Sequence, residues 1–234
     1  MSEKISYRWA WKEVLVLFIL SVIIVLFWDT RPLYPLKLLV VFFHELSHGF
    51  AAMLTGGEIV DIELNSSLGG RCVTRGGNRF VVLTAGYLGS LLWGGLILLM
   101  SARTRWDSSL VATLGLLLVL VTVWLIRPWF GFGFWFCGGV GVTLLALAAW
   151  TPAVVSRLLL RVVGLTSVIY APLDIKSDVL DRPELRSDAA MLAEITGLPT
   201  IFWGIVWCLV ALLAAVWFIG QSCRVQERAD AEGV

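Results

Sequence analysis

Phe43-His44-Glu45-Leu46-Ser47-His48-Gly49 sits inside an apolar run from Leu36 to Leu54. On a helix, residues four apart share a face, so His44 and His48 project side by side. Two imidazoles at that spacing grip one metal ion, and Glu45 beside them is placed to take a proton from a metal-bound water. Imidazole and carboxylate donors suit zinc, so Zn2+ is the expected ion. The chain contains two histidines, and both fall in this motif. The competing reading is a pair of polar residues satisfied within a helix core. Three ionisable side chains at mid-membrane depth are costly unless paired or bound to something, which favours the metal.

The surrounding composition fixes the solvent. Of 234 residues, 59% are hydrophobic and 15% charged, against about 25% charged in soluble domains. The expectation is an all-α polytopic membrane protein in contact with the lipid bilayer, its site being the cell membrane. With several spans the length leaves no room for a second sizeable unit, so residues 1–234 are read as one domain. A net charge of +1 with dispersed basic residues gives no footprint for nucleic acid. Cys72, Cys137, Cys208 and Cys223 show no ligand spacing and read as small apolar filler.

Outward from the motif, apolar runs mark the spans. Val14 to Trp28 follows a basic, Trp-bearing start and reads as a retained first span, with no small-residue cleavage site before Asp29. The motif span covers 36–55 and ends at Gly56-Gly57. Residues 58–80 mix acids, β-branched residues and two glycine pairs, which predicts one or two short hairpins after the second span. Irregular backbone enters a membrane only where protein or a water-filled cavity surrounds it, so such a hairpin lines a cleft or lies on the surface. In the cleft it is able to take an extended peptide by strand addition. Asn65, Ser66 and Ser67 read as turn residues ahead of carbonyl-binding groups. Further spans are expected at 81–100, 110–126, 131–150 and 198–220. Residues 153–175, with Arg157 and Arg161 near one end, read as a span or an interfacial helix, giving six to seven transmembrane helices. With seven spans and a cytosolic N-terminus, ten Lys and Arg fall inside and six outside; if 153–175 does not cross, the count is nine against nine. The positive-inside rule therefore favours seven.

Two histidines do not complete a zinc site, which usually has three protein ligands and a water. A carboxylate must serve. Asp61, Glu63, Asp174, Asp178, Asp181, Asp188 and Glu194 are the candidates. Asp174 ends an apolar run after Pro172-Leu173 and is able to project into a bundle. Asp178, four residues on, shares its helical face and is the main rival. The others lie in more polar stretches, where a solvated charge is the simpler reading.

The motif in a transmembrane helix, Gly56-Gly57, the glycine-rich hairpin, Ala85-Gly86-Tyr87-Leu88-Gly89 in the next span and a distant Leu-Asp together resemble the site-2 protease family of intramembrane zinc metalloproteases. The likeness is to its short branch without PDZ or CBS domains, and Ser187-Asp188-Ala189 and Thr196-Gly197-Leu198-Pro199 are similar to stretches of that branch. The resemblance implies a zinc endopeptidase acting on a membrane protein or membrane-anchored substrate, with a catalytic core at about 36–100 plus 153–180. It implies His44, His48 and Asp174 as metal ligands and Glu45 as the catalytic base. The family's third-ligand pattern is Leu-Asp-Gly, whereas Leu173-Asp174 is followed by Ile175. A non-catalytic scaffold or assembly factor keeping the metal site is the alternative. A metal transporter is disfavoured, because intramembrane ionisable groups concentrate on one span.

Overall fold

A computed structural model describes residues 6–182 and 186–227. In chain order these form β1 (Ser6–Trp9), α1 (Trp11–Leu26), a 3-10 turn (Arg31–Leu33), α2 (Tyr34–Leu54), β2 (Glu58–Leu64) and β3 (Gly70–Arg75). There follow α3 (Arg79–Arg103), α4 (Asp107–Trp124), α5 (Phe132–Trp150), α6 (Ala153–Lys176) and a π-helical turn (Ser177–Asp181). The chain then adds α7 (Asp188–Thr196), α8 (Thr200–Ser222) and β4 (Arg224–Glu227). Six helices, α2 to α6 and α8, are long and apolar enough to cross a membrane. This is a multi-pass membrane protein of the all-α class with a small hairpin after its second helix.

The helices differ in how much they hide. In α2, 78% of the most apolar window is buried, against 22% in α5. Helix α2 is thus the interior element, and α5 lies at the periphery beside α4. Lipid gives no hydrophobic drive between helices, so close packing of small residues takes over. Helix α3 supplies it, packing against α2, α6 and α8. Ser167 of α6 fits against Gly94, and its hydroxyl donates to the Ser90 carbonyl at 2.7 Å. Phe218 of α8 lies flat on Gly95.

Residues 153–175 resolve as the long helix α6. Its two arginines are neutralised at its first turns. Arg157 donates twice to Asp107, at 2.8 and 3.0 Å, and Asp107 is fully buried. Arg161 pairs with Glu13 of α1. Buried charges persist in a bundle only when paired in this way.

Helix α1 departs from the expected first span. It has 16 residues, short of the roughly 20 that a bilayer core requires. Its start is also tied to the far end of the chain: β1 pairs antiparallel with β4, and the Ala10 amide donates to the Cys223 carbonyl at 2.9 Å. Two strands that pair lie on one side of a membrane, so an even number of crossings separates them. Six satisfies this and seven does not. The ten-to-six charge count rested on seven crossings and falls with them.

One hairpin, not two, follows α2. Gly56, at φ +88°, takes the chain out of the helix in a conformation that favours glycine. Strands β2 and β3 then pair antiparallel with an irregularity between Ile59 and Asp61. Asn65 Oδ1 accepts from the amides of Ser67 and Gly69, at 2.8 and 3.2 Å, which makes it a turn residue. Tyr34 at the start of α2 donates its hydroxyl to the Ser66 carbonyl at 2.7 Å. The hairpin therefore folds back along the motif helix, so that its tip meets that helix's first turn.

The even count gives a direct test. Reporters fused ahead of β1 and after β4 are expected to read the same side of the membrane. Opposite readings from a phosphatase and fluorescent-protein pair would restore α1 as a seventh crossing.

Candidate metal centre

The two motif histidines face one another across a turn of α2, with ring centroids 4.8 Å apart. Each ring has one nitrogen facing a shared point and one facing away. His48 Nδ1 is 2.7 Å from the Val82 carbonyl of α3. A carbonyl only accepts, so Nδ1 carries the proton and Nε2 is left with a lone pair. Outer-shell contacts of this type fix the tautomer of metal-binding histidines. His44 is held by the edge of the Tyr87 ring, 5.3 Å between centroids.

A carboxylate completes the arrangement. Asp188 Oδ2 lies 3.0 Å from His44 Nε2 and 3.2 Å from His48 Nε2. His44, His48 and Asp188 form the one such group of three donors among the described residues, all within 4.8 Å of one another. Zinc bonds of about 2.0–2.1 Å in tetrahedral directions put neighbouring donors about 3.3 Å apart. The two observed separations lie close to that edge. Two nitrogens and one oxygen leave a fourth position for water, the pattern of an open zinc site. The residues present fit the ion.

The carboxylate that the structure groups with His44 and His48 is Asp188, and not the Asp174 expected from the sequence. Asp174 does reach the site, but on the other side of His44: its Oδ2 is 3.9 Å from Nδ1, the nitrogen turned away from Asp188. It comes from the last turns of α6 and forms the wall behind the imidazole. Asp178 is committed elsewhere, accepting from the Tyr87 hydroxyl at 2.9 Å and pairing with Arg182 at 2.9 Å. Asp188 lies within residues 176–196, whose polarity alone predicts a solvated segment. The chain instead turns back after α6. Ser187 caps α7 by accepting from the Ala190 amide, and Asp188, in the first helical turn, points inward and is buried. The signal present in the sequence was Ser187-Asp188-Ala189 itself, a capping serine ahead of an acid.

Glu45 is buried, and its side chain rests against the Cα of Gly70 in β3. Both lie in a cavity of about 820 Å³ lined also by His44, His48, Asp174, Asp188 and residues 68–74 of the hairpin. Cys72, on that wall, stays a neutral thiol: burial, then the charges of Glu45 and Asp61, push it up to about 12. Arg71, Arg79, Arg182 and Arg186 stand around the cavity, paired with Glu63, Glu194, Asp178 and Glu194 respectively.

The hairpin's two edges are used differently. On β2, the Ile62 amide donates to Leu125 O at 2.8 Å and its carbonyl accepts from the Arg127 amide at 2.9 Å. That edge is closed by residues 125–127. Since Ile62 lies opposite Cys72 and directs its peptide groups away from β3, Cys72 directs its own away from β2. Gly70 and Thr74, two residues to either side, do the same. Among the described residues no strand pairs with this edge, and it borders the cavity.

A comparison with protein families matches residues 17–218 to the family described as Peptidase M50B-like. No curated protein and no solved structure matches the chain.

The two acids separate experimentally. Asp188→Ala is expected to lower the zinc content of the purified protein at least tenfold. Asp174→Ala is expected to leave the stoichiometry unchanged, because it removes a wall and no donor. Atomic absorption on both variants checks this; zinc loss from Asp174→Ala alone would return the third-donor role to α6.

Proposed function

The chain belongs to the Peptidase M50B-like family, within the site-2 protease group of membrane metalloproteases, and on that premise we propose that it is an intramembrane zinc endopeptidase. The observation that carries the reading is one buried carboxylate oxygen, Asp188 Oδ2, shared between the Nε2 atoms of His44 and His48, with Glu45 in the same cavity. His44, His48 and Asp188 would hold the ion. A bound zinc lowers the pKa of its water to about 7 and polarises a peptide carbonyl.

The protein's own groups supply the rest. Glu45, next to His44 in sequence and facing the cavity, takes the proton from the attacking water and returns it to the leaving amine. The Val82 carbonyl keeps His48 in the tautomer that presents Nε2. Tyr87 and Asp174 confine the His44 ring from two sides.

The substrate is a transmembrane or membrane-proximal segment of a protein in the cell membrane. While helical, its amides are bonded internally and its carbonyls are covered. It must unwind to react, and an unwound segment in lipid needs partners for every peptide group. The open edge of β3 offers them at Gly70 and Thr74, on either side of Cys72, whose amide faces Glu45. Strand addition there lays the chain along the cavity with alternate side chains toward and away from the donors. The scaffold reading gains nothing from a buried glutamate held at the metal centre. A transporter calls for donors on a path through the bundle, and among the described residues the donors converge on one point.

Two variants test the proposal. Glu45→Gln is expected to retain zinc and lose turnover of transmembrane peptides in proteoliposomes by about 10²–10⁴-fold, the range for general-base removal. Cleavage at the wild-type rate, read by mass spectrometry of fragments, would end the reading. Thr74→Pro removes an amide that faces the cavity and not β2, a position where a strand tolerates proline. It is expected to keep zinc and lower kcat/KM at least tenfold; an unchanged kcat/KM would remove β3 as the docking edge.

A further inference from the structure

Gly86 lies in α3 directly across from the three donors. A Cβ built on it would stand 2.4 Å from His44 Nε2, 2.5 Å from Asp188 Oδ2 and 2.6 Å from His48 Cε1, the carbon bonded to Nε2. Carbon does not approach nitrogen or oxygen that closely without a bond; contacts under 3.0 Å are essentially never seen for real Cβ atoms. A side chain on Gly86 would therefore push these three groups out of the positions they hold.

We propose that Gly86 is the positioning residue of the metal centre: because it has no side chain, α3 closes on His44, His48 and Asp188 without displacing them, and any other residue there drives the donors apart. This rests on the zinc reading above and assigns Gly86 a role apart from helix packing. Its neighbours show the contrast. Gly94, a little over two turns on, would also clash, but with Ser167 Cβ at 2.6 Å and the Gly164 carbonyl at 2.8 Å, which are packing atoms of α6. Gly70 completes the set from the hairpin side. A Cβ there would meet Glu45 Cγ and Oε1, each at 2.6 Å, so its bareness makes room for the base and not for the donors.

The three glycines predict three different losses. Zinc and cobalt content are measured on the monodisperse protein in detergent, with thermal unfolding beside them. Gly86→Ala is expected to lose zinc at least tenfold and to show no cobalt absorption band, while its helix content stays that of metal-free wild type. Gly94→Ala is expected to unfold at lower temperature with full zinc in the folded fraction. Gly70→Ala is expected to keep zinc and lose peptide cleavage. If Gly86→Ala does not fold, adding His44→Ala, His48→Ala and Asp188→Ala together is expected to rescue it, since these three side chains are the obstruction; a protein that stays unfolded marks a packing role and overturns the proposal. Gly86→Ala with full zinc overturns it too. Wild type without zinc would instead overturn the metal reading on which it stands.

Discussion

The structure depends on one constraint: a carboxylate must reach two imidazoles inside a bundle of apolar helices. Charge in a low-dielectric interior is tolerated only when matched, and a half-matched cluster costs more than an apolar core. His44, His48 and Asp188 would meet that condition with one cation held among the two Nε2 atoms and Asp188 Oδ2. The route of the chain around this point follows from it. Helix α6 ends in a π-helical turn, and Ser187 restarts the chain as α7 with Asp188 in its first turn. The helix closes at Gly197, in the left-handed conformation at φ +73°, and Thr196 accepts from the Trp203 indole of α8 at 2.9 Å. A nine-residue helix too short to cross anything is held at both ends so that one side chain is delivered.

The hairpin answers a related constraint, since strands carry unpaired peptide groups along both edges. In a membrane such an edge must be paired or must border a polar cavity. Residues 125–127 close one edge of this hairpin through Ile62, and the cavity receives the other. Leaving that second edge open is tolerable because Glu45, the donors and the ring of arginine pairs keep the cavity polar. The polar site and the open strand edge thus support each other: the site lets the strand remain unpaired, and the strand, through the bare Cα of Gly70, sets where Glu45 stands.

Much of this was legible in residue order. The motif span expected at 36–55 is α2 at Tyr34–Leu54, and the last span expected at 198–220 is α8 at Thr200–Ser222. Runs of apolar residues closed by charges give such helices away because the bilayer demands a fixed length. The hairpin was legible from its glycine pairs and alternating residues. Two things were not. The first apolar run looked able to span, but the pairing of β1 with β4 joins segments more than two hundred residues apart, and no local pattern records it. The second is the place of Asp188: residue order favours Asp174, the acid at the end of an apolar run, as the partner of the two histidines. Local polarity predicts solvent only for a segment that stays at the surface, and the return of α7 into the bundle is a tertiary event.

Helix α3 shows why residue type alone underdetermines role. Gly86, Gly89, Gly94 and Gly95 read together as one small-residue face for helix packing. The structure divides them. Gly89 admits the Ser47 side chain of α2, Gly94 admits Ser167 of α6, and Gly95 takes the Phe218 ring of α8. At Gly86 the nearest atoms are those of His44, Asp188 and His48, the three side chains grouped as a candidate metal site. A glycine within a helix costs about 1 kcal/mol relative to alanine. At the other three positions the cost is returned by the closer approach of a neighbouring helix. At Gly86 the offsetting gain is that α3 closes on these three side chains without displacing them, so the same substitution that would strengthen an exposed helix removes the reason for this one.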